Sequence, residues 1–405
     1  MSLSAAVERM TRRLPVLRGA LRGLQFAQRH IYMYAVGTLR GIEPDKVVFS
    51  SFESSAYNDS PRYISEKLHE MAPDVKQVWL LRDGAYDRVQ LPDYVIRAHA
   101  VGRDGIAHLA TARVWVDNVR KTQTHLLRPS KQAYFNTWHG DRGFKRVGKD
   151  NDKEKFDRRL ERRCAAMIAG SRFGAGTYRT AFEFEGEILM DGIPRNDLLV
   201  RDDPAFAAAL RKKLGFAPEE KLLIYAPTYR DHQAGAMRAQ IDLPRTLDIL
   251  EDATGEGWKC LLRTHYRSSG IDVGARDARI VDMCAYPEMT ELLCVCDMLI
   301  TDYSSCAGDF ILRDKPAILY QSDIDQYRDG SRALYVDMDT APFFIAHDMD
   351  ELERVIRALT PESILENCRQ WRKFFGVTET GRACEASARF ILRAMGRDAG
   401  EDGHE

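Results

Sequence analysis

Leu299–Ile300–Thr301–Asp302–Tyr303–Ser304–Ser305–Cys306–Ala307–Gly308–Asp309–Phe310 reads as an apolar strand, a polar turn and the start of an apolar-periodic helix running through Leu312. A near-continuous apolar run suits a strand covered on both faces, and a helix entered from its carboxyl end makes the βα unit of a parallel sheet. Ser304 and Ser305 fall where N-cap hydroxyls and free backbone N–H groups converge, which makes this turn a candidate phosphate site. A plain N-cap without a ligand is the competing reading of any Ser–Ser pair before a helix.

The same alternation extends in both directions. Lys221–Tyr225, Cys260–Arg263, Ile280–Val281 and Ala317–Tyr320 are strand-like runs separated by helical segments. Upstream, Lys46–Ser51, Val75–Leu81, Val114–Val116, Ala133–Thr137, Ala165–Ala169 and Glu187–Met190 repeat the pattern, with helices over Arg62–Met71 and Asp104–Thr111. Short strands alternating with helices predict an α/β fold of two Rossmann-like parallel-sheet domains facing a cleft. The predicted boundaries are a basic amphipathic helical segment over 1–43, one α/β domain over 44–205, a second over 206–397, and a polar tail over 398–405.

The chain has 405 residues, 44% of them hydrophobic, enough for two domains with cores of their own. Its net charge of −1 excludes nucleic-acid binding by bulk charge, so any anion must be met by local groups. The eight cysteines form no CxxC pair and no zinc spacing, which predicts buried thiols in a reducing compartment. Through position 40 the chain carries Arg9, Arg12, Arg13, Arg18, Arg22, Arg29 and Arg40 against Glu8 alone, interleaved with Leu, Ile, Phe and Tyr. Such a segment either lies on an anionic membrane surface or packs on the protein body. It has no apolar run long enough to span a bilayer and no signal peptide, which predicts a cytoplasmic chain with peripheral membrane contact at most.

Three further strand-end loops hold candidate chemistry. Tyr134–Phe135–Asn136–Thr137–Trp138–His139–Gly140–Asp141–Arg142–Gly143 places a histidine beside glycines and basic residues, although a packed histidine next to Trp138 is the simpler alternative. Leu261–Leu262–Arg263–Thr264–His265–Tyr266–Arg267 sets a second histidine between arginines, donors suited to pyrophosphate and equally to an ordinary charged surface. Tyr225–Ala226–Pro227–Thr228–Tyr229–Arg230 adds a hydroxyl and an arginine. No P-loop, no GxGxxG after a strand and no GxSxG elbow is present.

Taken in order, these segments resemble the CDP-glycerol glycerophosphotransferase family of teichoic-acid primases and polymerases. The resemblance rests on Lys46–Phe52 with Asp59–Ile64, Thr137–Gly140, Asp191–Asp197, Tyr225–Arg230, Thr301–Ser305 with Asp309–Phe310, and Asp314–Pro316. The chain departs from the family pattern at Asp141–Arg142–Gly143 and at Tyr266. The resemblance implies a GT-B fold, with an acceptor domain over 44–205 and a CDP-donor domain over 206–397. It implies His139 as general base, with Trp138, Gly140, Asp141 and Arg142 on the acceptor side. It implies His265, Ser304, Ser305, Arg263, Thr301, Asp302 and Arg230 on the donor side. The implied partners are CDP-glycerol or another CDP-polyol, a lipid-linked glycan or polyol-phosphate acceptor, and a membrane surface reached through 1–43. No cofactor and no metal is implied. A GT-B nucleotide-sugar glycosyltransferase of envelope or capsule polysaccharide would use the same architecture; a GT-B-like sugar-nucleotide epimerase, to which nothing specific points, and a donor-binding scaffold without activity are the remaining rivals.

Overall fold

The computed structural model describes residues 15–119, 130–151, 163–228, 237–238, 240–263, 271–272, 277–325, 327 and 333–397. Its amino-terminal half is a seven-stranded sheet of β1 (Glu43–Phe49), β2 (Lys76–Leu81), β3 (Val95–His99), β4 (Ala112–Asp117), β5 (Ala133–Asn136), β6 (Cys164–Ile168) and β7 (Glu187–Leu189). Every pairing is parallel, in the order β3-β2-β1-β4-β5-β6-β7. The carboxyl-terminal half contains β8 (Lys221–Tyr225), β9 (Met237–Arg238), β10 (Trp258–Leu262), β11 (Ile271–Asp272), β12 (Ile280–Asp282), β13 (Met298–Thr301), β14 (Ala317–Tyr320) and β15 (Phe344–Ala346). Six of these form a second parallel sheet, β12-β10-β8-β13-β14-β15, while β9 and β11 pair separately.

The apolar runs become strands because both faces are covered. Val47, Val48 and Phe49 of β1 and all four residues of β13 are buried. Both sheets reverse strand order once, between β1 and β4 and between β8 and β13. In open α/β sheets the crevice outside the carboxyl ends at such a reversal is where ligands bind. The loops at and beside these reversals, after β1, β4, β5, β8 and β13, are therefore the ones that matter.

One boundary differs from the sequence expectation. The helix Ala383–Met395 was assigned with the second domain, but it packs on the first sheet. Ala388, Phe390, Ile391 and Leu392 lie in one core with Val47, Val114 and Phe135. Chain order suggested the wrong half, because an amphipathic helix states that it needs an apolar surface and not which one. The helix Pro15–Leu39 lies within the predicted segment 1–43, and it packs on the body of the protein, one of the two readings considered for it. Met33 and Val36 are buried in a core with Val48, Ala98 and Leu109, while Leu24, Phe26, Ile31, Tyr34 and Leu39 stay exposed. Among the described residues, no helix is long and apolar enough to cross a membrane. The cysteines are all free; six are buried, and Cys164 and Cys284 are partly so. Burial pushes the Cys260 and Cys294 thiols up to about 12, so both stay protonated and unreactive.

Candidate active site

The loop after β5 turns at Trp138, whose φ of +51° is left-handed. Asn136 supports the turn by accepting the Trp138 N–H through Oδ1 at 2.8 Å. The next residue, His139, is half-buried, with Nδ1 2.8 Å from the Asn118 carbonyl at the end of β4. A carbonyl can only accept, so Nδ1 carries the proton and Nε2 keeps its lone pair. Burial lowers the His139 pKa; the Asn118 bond and Asp59 oppose that shift, and Arg195 adds to it. A neutral imidazole with a free Nε2 is the form a general base needs.

Left-handed backbone gathers here. Phe52, Glu53 and Ser54 follow β1 with φ of +42°, +58° and +65°, and Asp59 has +58°. The Phe52 ring meets the His139 ring edge-on at 5.5 Å. Non-glycine residues adopt this region at a cost of about 1–3 kcal/mol each, and such strain collects at functional sites.

The other half faces this loop with Ser304 and Ser305, both half-buried. A Cβ added to Gly140 would sit 3.5 Å from Trp138 Nε1 and 3.9 Å from Ser305 Oγ, so the histidine loop and the serine turn meet directly. The helix after Ser305 is only Cys306–Phe310 and continues as a tighter turn over Ile311–Arg313, shorter in its α-helical part than expected. So short a helix adds little dipole, and the serine hydroxyls and loop N–H groups are the groups left to meet an anion.

Several predicted site residues do other work. Asp141 and Arg142 were expected on the acceptor side, yet both are fully interior and cannot touch an acceptor. Asp141 accepts from the Ser171 hydroxyl at 2.7 Å and the Gly170 N–H at 3.1 Å. Arg142 pairs with Asp309 at 2.7 Å and Glu379 at 2.8 Å. Gly308 is required beside it, since a Cβ there would fall 2.8 Å from Arg142 Cβ. Thr301 donates to the Ala226 carbonyl at 2.6 Å, and the Asp302 carboxylate accepts the Thr228 and Tyr303 N–H groups. These two residues fasten the β8 and β13 loops together rather than presenting free groups to the cleft. Arg263 donates to the Met283 and Cys284 carbonyls, which ties its guanidinium to the neighbouring loop. His265 and Arg230 lie outside the described residues.

The residues that sequence reasoning missed form a buried ionic network across the cleft. Arg195 donates to Asp59 at 3.0 Å and to Asp309 at 2.9 Å, and its Nη2 also reaches the His139 carbonyl at 3.3 Å. Asp309 belongs to the second half, and Asn196 and Arg142 complete its coordination. Burial pushes its carboxyl up, but Arg195 and Arg142 outweigh that and, with the Asn196 hydrogen bond, hold it below the usual carboxylate range. Glu288, also of the second half, accepts the Asp59 N–H at 2.8 Å, and burial beside Asp59 pushes its carboxyl up to about 7. Burial likewise pushes Glu379 up to about 7 despite Arg142. The available signal was the run Pro194–Arg195–Asn196–Asp197, a cation and an amide beside a helix start, but nothing in it named Asp59 or Asp309 as partners.

Residues 32–392 match the model of the family described as CDP-glycerol:poly(glycerophosphate) glycerophosphotransferase. The chain belongs to this family. The teichoic acid poly(glycerol phosphate) polymerase of Staphylococcus epidermidis is 28% identical over 338 residues, covering 78% of this chain and 46% of that protein. The teichoic acid glycerol-phosphate transferase of Staphylococcus aureus is 27% identical over 309 residues, covering 72% of this chain and 77% of its own length. A solved variant of the wall teichoic acid polymerase TagF, soaked with CDPG, superposes with a TM-score of 0.81 at 25% identity, covering 96% of this chain and 98% of that one. The glycerophosphotransferase fold is thus GT-B, as two Rossmann-ordered sheets require. The chain spans about half the length of the first curated relatives it matches.

Proposed function

We propose that this glycerophosphotransferase-family chain moves a glycerol-phosphate, or related polyol-phosphate, unit from a CDP-activated donor to a lipid-linked or polymeric cell-envelope acceptor, releasing CMP. The observation that carries the reading is the meeting of His139–Gly140 from one half with Ser305 from the other, at the carboxyl ends of two parallel sheets. Family membership supplies the donor class. In the proposed step the acceptor hydroxyl oxygen attacks the β-phosphorus while His139 Nε2 takes its proton. The bond from that phosphorus to the bridging oxygen breaks, and CMP leaves with the electron pair. Ser304 and Ser305 donate to the pyrophosphate, and His265 and Arg230 are assigned the same task from the family motif. In-line transfer of this kind depends mainly on positioning and charge compensation.

The exposed apolar residues of the helix Pro15–Leu39 support a second part of the reading. A lipid-linked acceptor is met at a surface, and Leu24, Phe26, Ile31 and Tyr34 with Arg29 nearby suit shallow insertion at an anionic leaflet. The proposed location is cytoplasmic and peripheral, on the inner face of the cell membrane.

His139→Ala tests the chemistry. Turnover with CDP-glycerol and an acceptor is expected to fall about 10²–10⁴-fold while calorimetric donor binding persists. Near-normal turnover in the folded variant sinks the assignment. A glycosidic rather than phosphodiester linkage in the product, read by mass and by resistance to phosphodiesterase, would return the nucleotide-sugar glycosyltransferase alternative.

A further inference from the structure

Contacts from the second half run without a break to the His139 imidazole, and Asp59 sits at their junction. Its backbone N–H is held by Glu288 Oε2 at 2.8 Å. Its Oδ1 accepts from Arg195, which is itself held by Asp309. Its Oδ2 accepts from Asn118 Nδ2 at 3.0 Å, and Asn118 Oδ1 accepts the Phe52 N–H at 2.8 Å. Asn118 is thereby fixed at both ends of its amide, and its main-chain carbonyl is the group that accepts the hydrogen bond from His139 Nδ1–H. Neighbouring contacts Asn58–Pro287 at 2.9 Å and Arg62–Glu291 at 2.8 Å press the same segment onto the second half.

We propose that Asp59 is a positioning residue for the His139 base, carrying the engagement of the donor-side half through Asn118 to the imidazole. The inference rests on His139 being the base. Its physical content is that the base is held in one tautomer and one place only when Glu288 and Asp309 of the second half are seated on Asp59 and Arg195. With the halves apart, Asp59 loses its N–H acceptor and Arg195 loses Asp309. The left-handed backbone at Asp59 is then held only through its side chain, by Asn118 and an Arg195 that has lost its own partner. A base completed by domain engagement limits attack by water on a donor bound in an open cleft, which is the usual benefit of assembling a site on closure.

Asp59 also acts through charge. The charged groups around the imidazole are Asp59 and Arg195 directly, with Asp309, Arg142 and Glu288 behind them. Asp59 favours the imidazolium that forms as the acceptor proton is taken, and Arg195 disfavours it. Removing the carboxylate leaves Arg195 unopposed, so His139 becomes a weaker base and its protonation moves to lower pH.

The test uses the full chain, CDP-glycerol and a soluble acceptor analogue. Asp59→Asn keeps the shape and can still accept from Asn118. It is expected to move the acid limb of the kcat/KM profile down by about 0.5–1 pH unit and to lower kcat about 10-fold or more with donor KM within about threefold. Glu288 can titrate in the same range, so the limb is also read in Glu288→Gln, whose amide still accepts the Asp59 N–H; there it is expected to stay. A limb unmoved in folded Asp59→Asn overturns the proposal. Imidazole ¹⁵N shifts of the labelled wild-type chain give a reading that needs no variant: the Nδ1–H tautomer is expected at His139, and the Nε2–H tautomer overturns the relay. If His139→Ala is itself unimpaired, the base assignment fails. If that variant is impaired and Asp59→Asn leaves the limb in place, the relay alone fails.

Discussion

The helices Pro15–Leu39 and Ala383–Met395 both attach to the amino-terminal sheet, and they do so in opposite ways. The later helix buries Ala383, Cys384, Ser387, Ala388, Phe390, Ile391, Leu392 and Met395, with Phe390 against Phe135 at 5.0 Å. The earlier one buries Met33 and Val36 near its end and leaves most of its other large apolar side chains in the open. The contrast separates two arrangements of an amphipathic helix: one completes a core, and the other is fixed by a few residues near its end while the apolar side chains Leu24, Phe26, Ile31, Tyr34 and Leu39 remain exposed.

Three variants sharpen or break that comparison. Phe390→Ala is expected to cost about 3–5 kcal/mol in urea unfolding, because it opens a cavity against Phe135 in a core shared by two distant parts of the chain. A loss under about 1 kcal/mol would mean the helix is an attachment rather than a core element. Met33→Ala is expected to cost about 2 kcal/mol, at the low end for a buried methionine, since it lies near a helix end. An unchanged midpoint would detach the whole amino-terminal helix from the body. Leu24→Ser with Ile31→Ser is expected to change stability by no more than about 0.5 kcal/mol, as exposed positions do. The same pair is expected to reduce cosedimentation with anionic vesicles at low salt, where each basic residue contributes about 1 kcal/mol. Destabilisation without any loss of vesicle binding would show that this face is covered within the protein.

Most of the fold was legible because buried parallel strands write themselves as apolar runs. Lys221–Tyr225 and Ala317–Tyr320 fall where they were placed, and the other predicted strands shift by one to three residues at their ends. The strands Val95–His99 and Phe344–Ala346 escaped notice. Each is short, the first carries Arg97 in its middle, and a sheet-edge strand needs less apolar sequence than a central one. The site was legible as loops but not as roles. The loops that carry His139 and Ser305 do meet, at Gly140, since strand-end position is a local property. Arg142, Asp141, Thr301 and Asp302 were placed on the right loops and given the wrong task. Whether a side chain faces the cleft or the interior depends on partners such as Glu379, Ser171 and Ala226 that lie far off in sequence. Asp59, Asn118, Arg195 and Asp309 become one network only in three dimensions, joined across 114 residues between Arg195 and Asp309 alone.

The crossover at the end of the chain also governs the order in which the molecule can be made. Arg113 donates to the Ala394 carbonyl across a sequence separation of 281 residues, and the sheet beneath Phe390 stays uncovered until that helix arrives. A nascent chain leaving the ribosome can therefore pair the strands of its first half without being able to seal them. The second half, whose strands from Lys221 to Ala346 are covered by helices that lie between Asp197 and Phe375, can close its sheet first although it is synthesised later. Through that interval Val47, Val114 and Phe135 wait exposed for residues not yet translated, the circumstance in which partly made chains aggregate or engage chaperones.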